Sequence, residues 1–172
     1  VDTELVWERT FYPALGVVQL GLSREGCYLL DAVALNGQLA PLGELLADAS
    51  TVKILHDAGQ DLTILQKASS SPGARVSAIN IFDTRVAAGF VGLASTVSLR
   101  DLLLDLVGIE LDKTETRTDW LQRPLAETQV GYAEDDVRYL VDAHDELLRR
   151  AQERDVTEWL QEEMESLNNP AL

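Results

Sequence analysis

The chain has 172 residues, of which 46% are hydrophobic and 25% charged, and 29 acidic against 14 basic side chains give a formal net charge of −15. This composition is typical of a water-soluble domain with a sizeable core, and it excludes collagen-like, disordered and disulfide-rich chains. The acidity alone argues against a broad basic surface for nucleic acid.

The single cysteine cannot form an internal disulfide, so we expect Cys27 to be a buried spectator thiol and the protein to be cytosolic. The sequence contains no run of about 18 apolar residues, and its first residues lack the pattern of a signal peptide. We therefore expect no membrane partner. Because the first residues already have the pattern of a strand, we interpret the chain as a domain fragment.

The predicted elements begin with three antiparallel strands. Residues 1–7 form the first strand, and apolar runs over 17–22 and 28–30 flank a turn at 23–26, which predicts a hairpin. Strands and helices then alternate: helix 41–47, strand 52–56, helix 61–67, strand 76–82, and helices 84–90 and 99–107. This order predicts an α/β domain with a mixed β-sheet flanked by helices.

The last third of the chain is predicted to be helical after an irregular segment over 112–124. Apolar residues recur at spacings of three and four from about 126 to 150, which predicts one long amphipathic helix. A final acidic helix is predicted over 156–167. The domain boundary is placed at 150, so that 151–172 either packs on the domain or leads to a further one.

Two carboxylates in the first strand are candidates for metal binding. Asp2 and Glu4 are two residues apart, and a strand with a period of two directs both to one face of the sheet. Two like charges held together repel unless a cation or a shared proton offsets the repulsion. A hard cation, Mg²⁺ or Mn²⁺, would bind such oxygen ligands. The alternative is a pair of solvated strand residues.

Three further side chains could complete such a site. Asp61 follows the strand 52–56 at its carboxyl end, where α/β sheets place ligands, although a carboxylate there also stabilises a helix start. Tyr132 and Asp136 are four residues apart and share a helix face, either as a water-orienting phenol and a metal ligand or as a solvated pair. Asp135 is rotated by about 100° from Asp136, so only one of the two can align with Tyr132.

Three segments, taken in order, resemble the exonuclease motifs of the DEDDy superfamily: residues 1–4 (VDTE), 55–62 (LHDAGQDL) and 131–137 (GYAEDDV). Residues 111–125 (LDKTETRTDWLQRPL) look specifically like the bacterial ribonuclease D family, as do Tyr12-Pro13 and Phe82-Asp83-Thr84. The resemblance covers about residues 1–150. It implies a ribonuclease-H-like fold of the DnaQ type, with a mixed β-sheet flanked by helices.

The resemblance also implies a reaction: 3′-to-5′ hydrolysis of RNA ends, such as those of transfer RNA precursors, with release of nucleoside 5′-monophosphates and two divalent cations, Mg²⁺ or Mn²⁺. Carried over by motif, Asp2 would bridge both cations, and Glu4 and Asp136 would complete the one beside the nucleophile. Asp61 would hold the second cation through water, and Tyr132 would position the attacking water. The rival predictions are a DNA exonuclease of the same superfamily and an inactive module that binds RNA or protein.

Four further residues are candidates for contacts with the substrate. Leu5 stands where the family often has a phenylalanine that could wedge against terminal bases. Lys113 and Arg117 could bind phosphate, unless neighbouring acids neutralise them. His56 matches a family histidine, and we expect it to form a structural hydrogen bond rather than to act as a general base.

The expected partner is the 3′ end of a single-stranded nucleic acid, RNA rather than DNA, and the oligomeric state is left open. Family members usually carry a C-terminal helicase-and-RNase-D (HRDC) domain, and the sequence has no such segment before Leu172. Trp120, which lies among the basic residues of the irregular segment, is expected in the core.

Overall fold

The computed structural model describes residues 1–7, 13–71, 74–112 and 118–168. Its first sheet is antiparallel, in the order β1-β2-β3, and consists of β1 (Asp2–Val6), β2 (Ala14–Gly21) and β3 (Cys27–Asp31). Two further strands, β4 (Lys53–Leu55) and β5 (Ile81–Asp83), pair in parallel. The amino nitrogen of Val1 donates to the Ile54 carbonyl at 2.7 Å and so links β1 to β4. The predicted mixed α/β architecture is confirmed.

Most of the described helices lie where the sequence pattern predicted a helix. They are α1 (Ala32–Leu35), α2 (Ala40–Ala47), α3 (Gly59–Ser69), α4 (Thr84–Phe90), α5 (Leu99–Val107), α6 (Glu127–Arg138), α7 (Leu140–Glu153) and α8 (Thr157–Ser166). The strand predicted over 76–82 is wrong in extent, since the regular strand spans only Ile81–Asp83. None of the described helices has the length and apolarity needed to cross a bilayer.

The prediction of one helix from about 126 to 150 is wrong, because the helix breaks at Tyr139. The backbone there has φ −111° and ψ 7°, which ends α6 at Arg138 and lets α7 start at Leu140. Arg24, in the β2–β3 turn, lies 5.5 Å from the Tyr139 ring centroid and pairs with Asp142 at 3.1 Å. Apolar spacing continues across the break, so the periodicity did not reveal it.

The two faces of the antiparallel sheet are covered by different layers. Val17, fully buried, packs with Trp120 and with Ala133 of α6 on one face. Val18, its neighbour on β2, packs against α2 and α3 on the other face. Trp120 is 2% exposed, which confirms its predicted place in the core. Cys27, expected to be buried, is only partly buried on the edge strand.

Helix α6 lies unusually close to strand β2 at Gly21. A Cβ on Gly21 would lie 2.3 Å from the carbonyl oxygen of Val137, far inside van der Waals contact. Val137 directly follows Asp136, so the bare backbone of Gly21 sets how closely the C-terminal part of α6 approaches the sheet.

Candidate metal and active site

Three carboxylates from two elements meet on the α6 face of the sheet. Asp2 and Glu4 of β1 pair with Gln19 and Val17 of β2, so both point toward α6. One ligand atom from each of Asp2, Glu4 and Asp136 lies within 4.8 Å of the others. The predicted convergence of these residues on one place in the fold is what the structure shows.

Burial and mutual repulsion disfavour the charged forms of this cluster. Burial, followed by the charges of Asp2 and Asp136, raises the pKa of Glu4 to about 9. Burial likewise raises the pKa of Asp136 to about 7, against a hydrogen bond from Tyr132 that lowers it. The pKa of Asp2 is raised by burial and then by the charges of Asp61 and Asp136. The site therefore favours binding a cation or protons.

The oxygen-only donor set fits a hard divalent cation. Within the described residues, none of the three carboxylates forms an ion pair with a lysine or arginine. Clustered carboxylates without a basic partner are the ligands that Mg²⁺ and Mn²⁺ take in proteins. Asp2, Glu4 and Asp136 are thus the residues that could hold a metal ion.

Helix geometry separates Asp136 from its neighbour Asp135. Tyr132 lies one turn before Asp136, is partly buried, and lines the same cavity as Asp136, where its hydroxyl lowers the pKa of the Asp136 carboxyl. Burial, and then the nearby carboxylates, raise the pKa of the Tyr132 phenol, so it stays protonated at neutral pH. Asp135 instead pairs with Arg138 at 3.1 Å and is 42% exposed. Of the two aspartates, Asp136 is the one in line with Tyr132.

Asp61 lies near the cluster without joining it. It stands in the first turn of α3, and its carboxylate accepts a hydrogen bond from Thr3, whose side chain points to the opposite face from Asp2 and Glu4. Burial raises the pKa of Asp61, while the Thr3 hydrogen bond opposes the rise. Its charge still raises the pKa of Asp2. Asp61 approaches the three-carboxylate group from the other side of β1.

The turn that carries Asp61 is fixed by Asp83 at the end of β5. The Asp83 carboxylate accepts hydrogen bonds from the backbone N–H groups of Asp57 and Ala58, at 3.1 and 2.8 Å. It also caps α4 by accepting from Arg85 N at 2.8 Å and Val86 N at 3.2 Å. One buried carboxylate thus joins the start of α3 to the start of α4, a role that the resemblance alone did not assign to it.

His56 lies beside the site, and both of its ring nitrogens have hydrogen-bond partners. Nδ1 lies 2.9 Å from Thr84 Oγ1 and Nε2 lies 3.0 Å from the carbonyl oxygen of Val97. Burial lowers the pKa of His56. It helps to line a cavity of about 200 Å³ beside the cluster, with Val1, Asp2, Leu99, Tyr132, Asp136 and Leu140. The structural hydrogen bonds expected of His56 are present.

The structure does not bring the other substrate-binding candidates to the carboxylate cluster: Leu5 lies on the other face of β1, and the remaining two are outside the described residues. Leu5 pairs with Leu15 of β2, and strand alternation puts it on the face of Thr3, away from the carboxylate pair. Lys113 and Arg117 lie outside the described residues, as does Tyr12. Their predicted contacts with substrate stay predictions.

Gln19 is the residue that motif reasoning missed. It is fully buried on β2, directly opposite Asp2, and its Nε2 donates to Glu4 Oε1 at 3.2 Å. A polar residue within the apolar run of residues 17–22 was the available signal, since it interrupts an otherwise buried strand.

The stability of the metal-free protein should fall as the pH rises. The folded-state pKa values of Asp136, about 7, and Glu4, about 9, lie above ordinary carboxyl values near 4. Their contribution to folding is therefore fully present below about pH 4 and is lost as the pH rises through 7 and then 9. A divalent cation replaces the protons, so the increase in Tm on adding Mn²⁺ should be larger at pH 8.5 than at pH 6.

Thermal melts in EDTA and in Mn²⁺ at the two pH values measure this effect. Glu4→Gln, which cannot ionise, should flatten the dependence on pH in EDTA. An equal Mn²⁺ shift at both pH values would contradict the assigned electrostatics.

The chain is similar to known proteins over nearly its whole length. Residues 1–152 match the family model described as "3′-5′ exonuclease". A ribonuclease D of Desulfotalea psychrophila is 52% identical over 171 residues, which are 99% of this chain and 44% of that protein. The chain thus spans less than half the length of the curated relatives it matches.

Solved structures show the same fold. The crystal structure of Escherichia coli RNase D, an exoribonuclease involved in structured RNA processing, superposes with a TM-score of 0.80 at 33% identity, over 94% of this chain and 41% of that one. Brucella melitensis NrnC with bound Mg²⁺ gives a TM-score of 0.80 at 23% identity, over 95% of this chain and 77% of that one, and shares the fold alone.

Proposed function

Because the chain belongs to the 3′-5′ exonuclease family, we propose that it is the catalytic domain of a ribonuclease-D-like enzyme that removes nucleotides from the 3′ ends of single-stranded RNA. The observation that carries the proposal is the group of Asp2, Glu4 and Asp136, whose ligand atoms lie within 4.8 Å of one another, with Tyr132 on the wall of the same cavity. The ribonuclease D similarity over 99% of the chain supports RNA as the substrate. Transfer RNA precursors are our proposed natural source of it.

In this proposal Asp2, Glu4 and Asp136 would hold one divalent cation, and Asp2 with Asp61 would hold a second. Two bound cations would lower the pKa of the attacking water and stabilise the charge on the leaving 3′ oxygen. Water oxygen attacks the terminal phosphorus, the bond from phosphorus to the 3′ oxygen breaks, and a nucleoside 5′-monophosphate leaves. The shortened RNA keeps a 3′ hydroxyl, so the next cycle can follow.

Tyr132 and His56 have distinct parts in this scheme. With a pKa raised above its ordinary value, the Tyr132 hydroxyl orients the attacking water by hydrogen bonding and does not remove its proton. His56 has both ring nitrogens engaged by Thr84 and Val97, which leaves neither for proton transfer. It supports the wall of the cavity in which the terminal nucleotide would lie, with Leu5, Lys113 and Arg117 as further proposed contacts.

The proposal is tested with 5′-labelled single-stranded RNA and DNA of matched sequence, each with Mn²⁺, with Mg²⁺ and with EDTA. We expect RNA to shorten from its 3′ end in single-nucleotide steps with either metal, no shortening in EDTA, and slower shortening of DNA. Faster cleavage of DNA would assign the DNA exonuclease instead. Internal cleavage, or RNA binding without cleavage, would contradict the proposal.

A further inference from the structure

Gln19 is buried beside the carboxylate cluster at a cost to the fold. Its side chain is fully buried on β2, and its Oε1 is the single buried side-chain oxygen or nitrogen without a hydrogen-bond partner in the described part of the chain. A buried acceptor left without a donor lowers the stability of the fold, because it loses its hydrogen bonds to water and gains none in return. An apolar side chain of the same size would avoid that cost, so packing does not explain the amide.

The other end of the amide has a specific partner. Nε2 of Gln19 donates to Oε1 of Glu4 at 3.2 Å, and the strand register fixes Gln19 directly opposite Asp2. The terminal torsion of a glutamate side chain is soft and broadly populated. A donor fixed on the neighbouring strand restricts that torsion and leaves the second carboxylate oxygen of Glu4 available to a cation that Asp2 and Asp136 would also bind.

We propose that Gln19 is a positioning residue that orients Glu4 as a metal ligand. This inference rests on the proposed function, because it assumes that Glu4 binds a divalent cation. Gln19 contacts neither the cation nor RNA, and it acts only through the Glu4 carboxylate. Partners of metal ligands fix the orientation of those ligands, and their loss typically weakens metal affinity about 10- to 100-fold.

A second buried glutamine provides the matched control. Gln129, 7% exposed near the start of α6, accepts from Ala126 N at 3.0 Å and donates to Thr118 Oγ1 and the Asp119 carbonyl at 3.1 and 3.3 Å. Both ends of its amide are satisfied within the fold. Removing that amide should lower stability without altering the metal site.

The experiment uses the full chain as wild type, Gln19→Met, Gln19→Leu and Gln129→Met. Mn²⁺ binding is measured by calorimetric titration at fixed pH, and Tm is measured in EDTA. We expect the two Gln19 variants to bind Mn²⁺ about 10- to 100-fold more weakly, with Tm in EDTA equal to or above the wild type. Gln129→Met should show the reverse, a lower Tm and wild-type Mn²⁺ affinity.

Two results would overturn the inference while leaving the proposed function in place. One is wild-type Mn²⁺ affinity in the Gln19 variants. The other is a fall of Tm in both Gln19 variants as large as that of Gln129→Met, or a failure of both to fold, which would make the amide structural. A wild-type protein that binds no Mn²⁺ would overturn the proposed function and this inference together.

Discussion

Asp136→Asn should abolish the Mn²⁺-dependent release of label from 3′-labelled RNA. The substitution removes the negative charge from one of the three clustered carboxylates, the one that shares a helix face and a cavity with Tyr132. Loss of a residue that only hydrogen-bonds a metal ligand lowers metal affinity or activity about 10- to 100-fold. Loss of the ligand itself should therefore lower activity at least about 100-fold. The rate of label release under single-turnover conditions measures the effect.

Asp135→Asn is the control for this prediction. It makes the same chemical change at the adjacent residue, where the carboxylate is 42% exposed and pairs with Arg138. Surface ion pairs of this kind contribute about 0–1 kcal/mol, so most of the activity should survive. Comparable losses in the two variants, or no loss in Asp136→Asn, would refute the assignment of Asp136 as a metal ligand.

Local rules were sufficient to predict which candidate side chains share a face within one element. The strand period placed Asp2 and Glu4 on one face, and the helix period distinguished Asp136 from Asp135 as the partner of Tyr132. Both rules hold because each pair lies within one regular element. Which elements would meet came from the resemblance, since three carboxylates distant in sequence have no local signal that brings them together.

The features that sequence analysis missed depend on contacts between elements. The break at Tyr139 is accompanied by the β2–β3 turn, whose Arg24 reaches Asp142 on the next helix. Gln19 has no motif of its own, and its contact with Glu4 follows only from the register of β1 on β2. The interaction of Asp61 with Thr3 likewise crosses from α3 to a strand. Periodicity within one element carries no information on such pairings.

The net charge of −15 does not argue against nucleic-acid binding at the carboxylate cluster once the positions of the acidic residues are known. Twelve acidic and four basic side chains lie from Tyr132 onward, in less than a quarter of the sequence. Many of these acids are paired within the helices, as Glu146 is with Arg149 and Arg150 at 2.7 and 2.8 Å. The cluster acids are the ones whose repulsion a cation would reverse. The overall acidity is therefore compatible with local, metal-dependent capture of an RNA end.

Gly21→Ala should impair activity more than any comparable substitution far from the carboxylates. The added Cβ would lie 2.3 Å from the Val137 oxygen and 2.9 Å from its carbonyl carbon, and both contacts are with backbone. Strand β2 or helix α6 must therefore move, and Asp136 moves with the helix. Overpacking of this kind costs about 1–3 kcal/mol. A displacement of about 1 Å at a reacting site can cost about 100-fold in rate.

Gly89→Ala is the matched change, because a Cβ on Gly89 in α4 meets no atom within 4 Å. Alanine is favoured over glycine within a helix by about 0.5–1 kcal/mol, so Gly89→Ala should raise the Tm and keep full activity. Gly21→Ala should lower the Tm in EDTA and lower both Mn²⁺ affinity and the rate of RNA shortening. If Gly21→Ala loses stability but binds Mn²⁺ and cleaves RNA like the wild type, the close contact of β2 with α6 serves packing alone and does not set the position of Asp136.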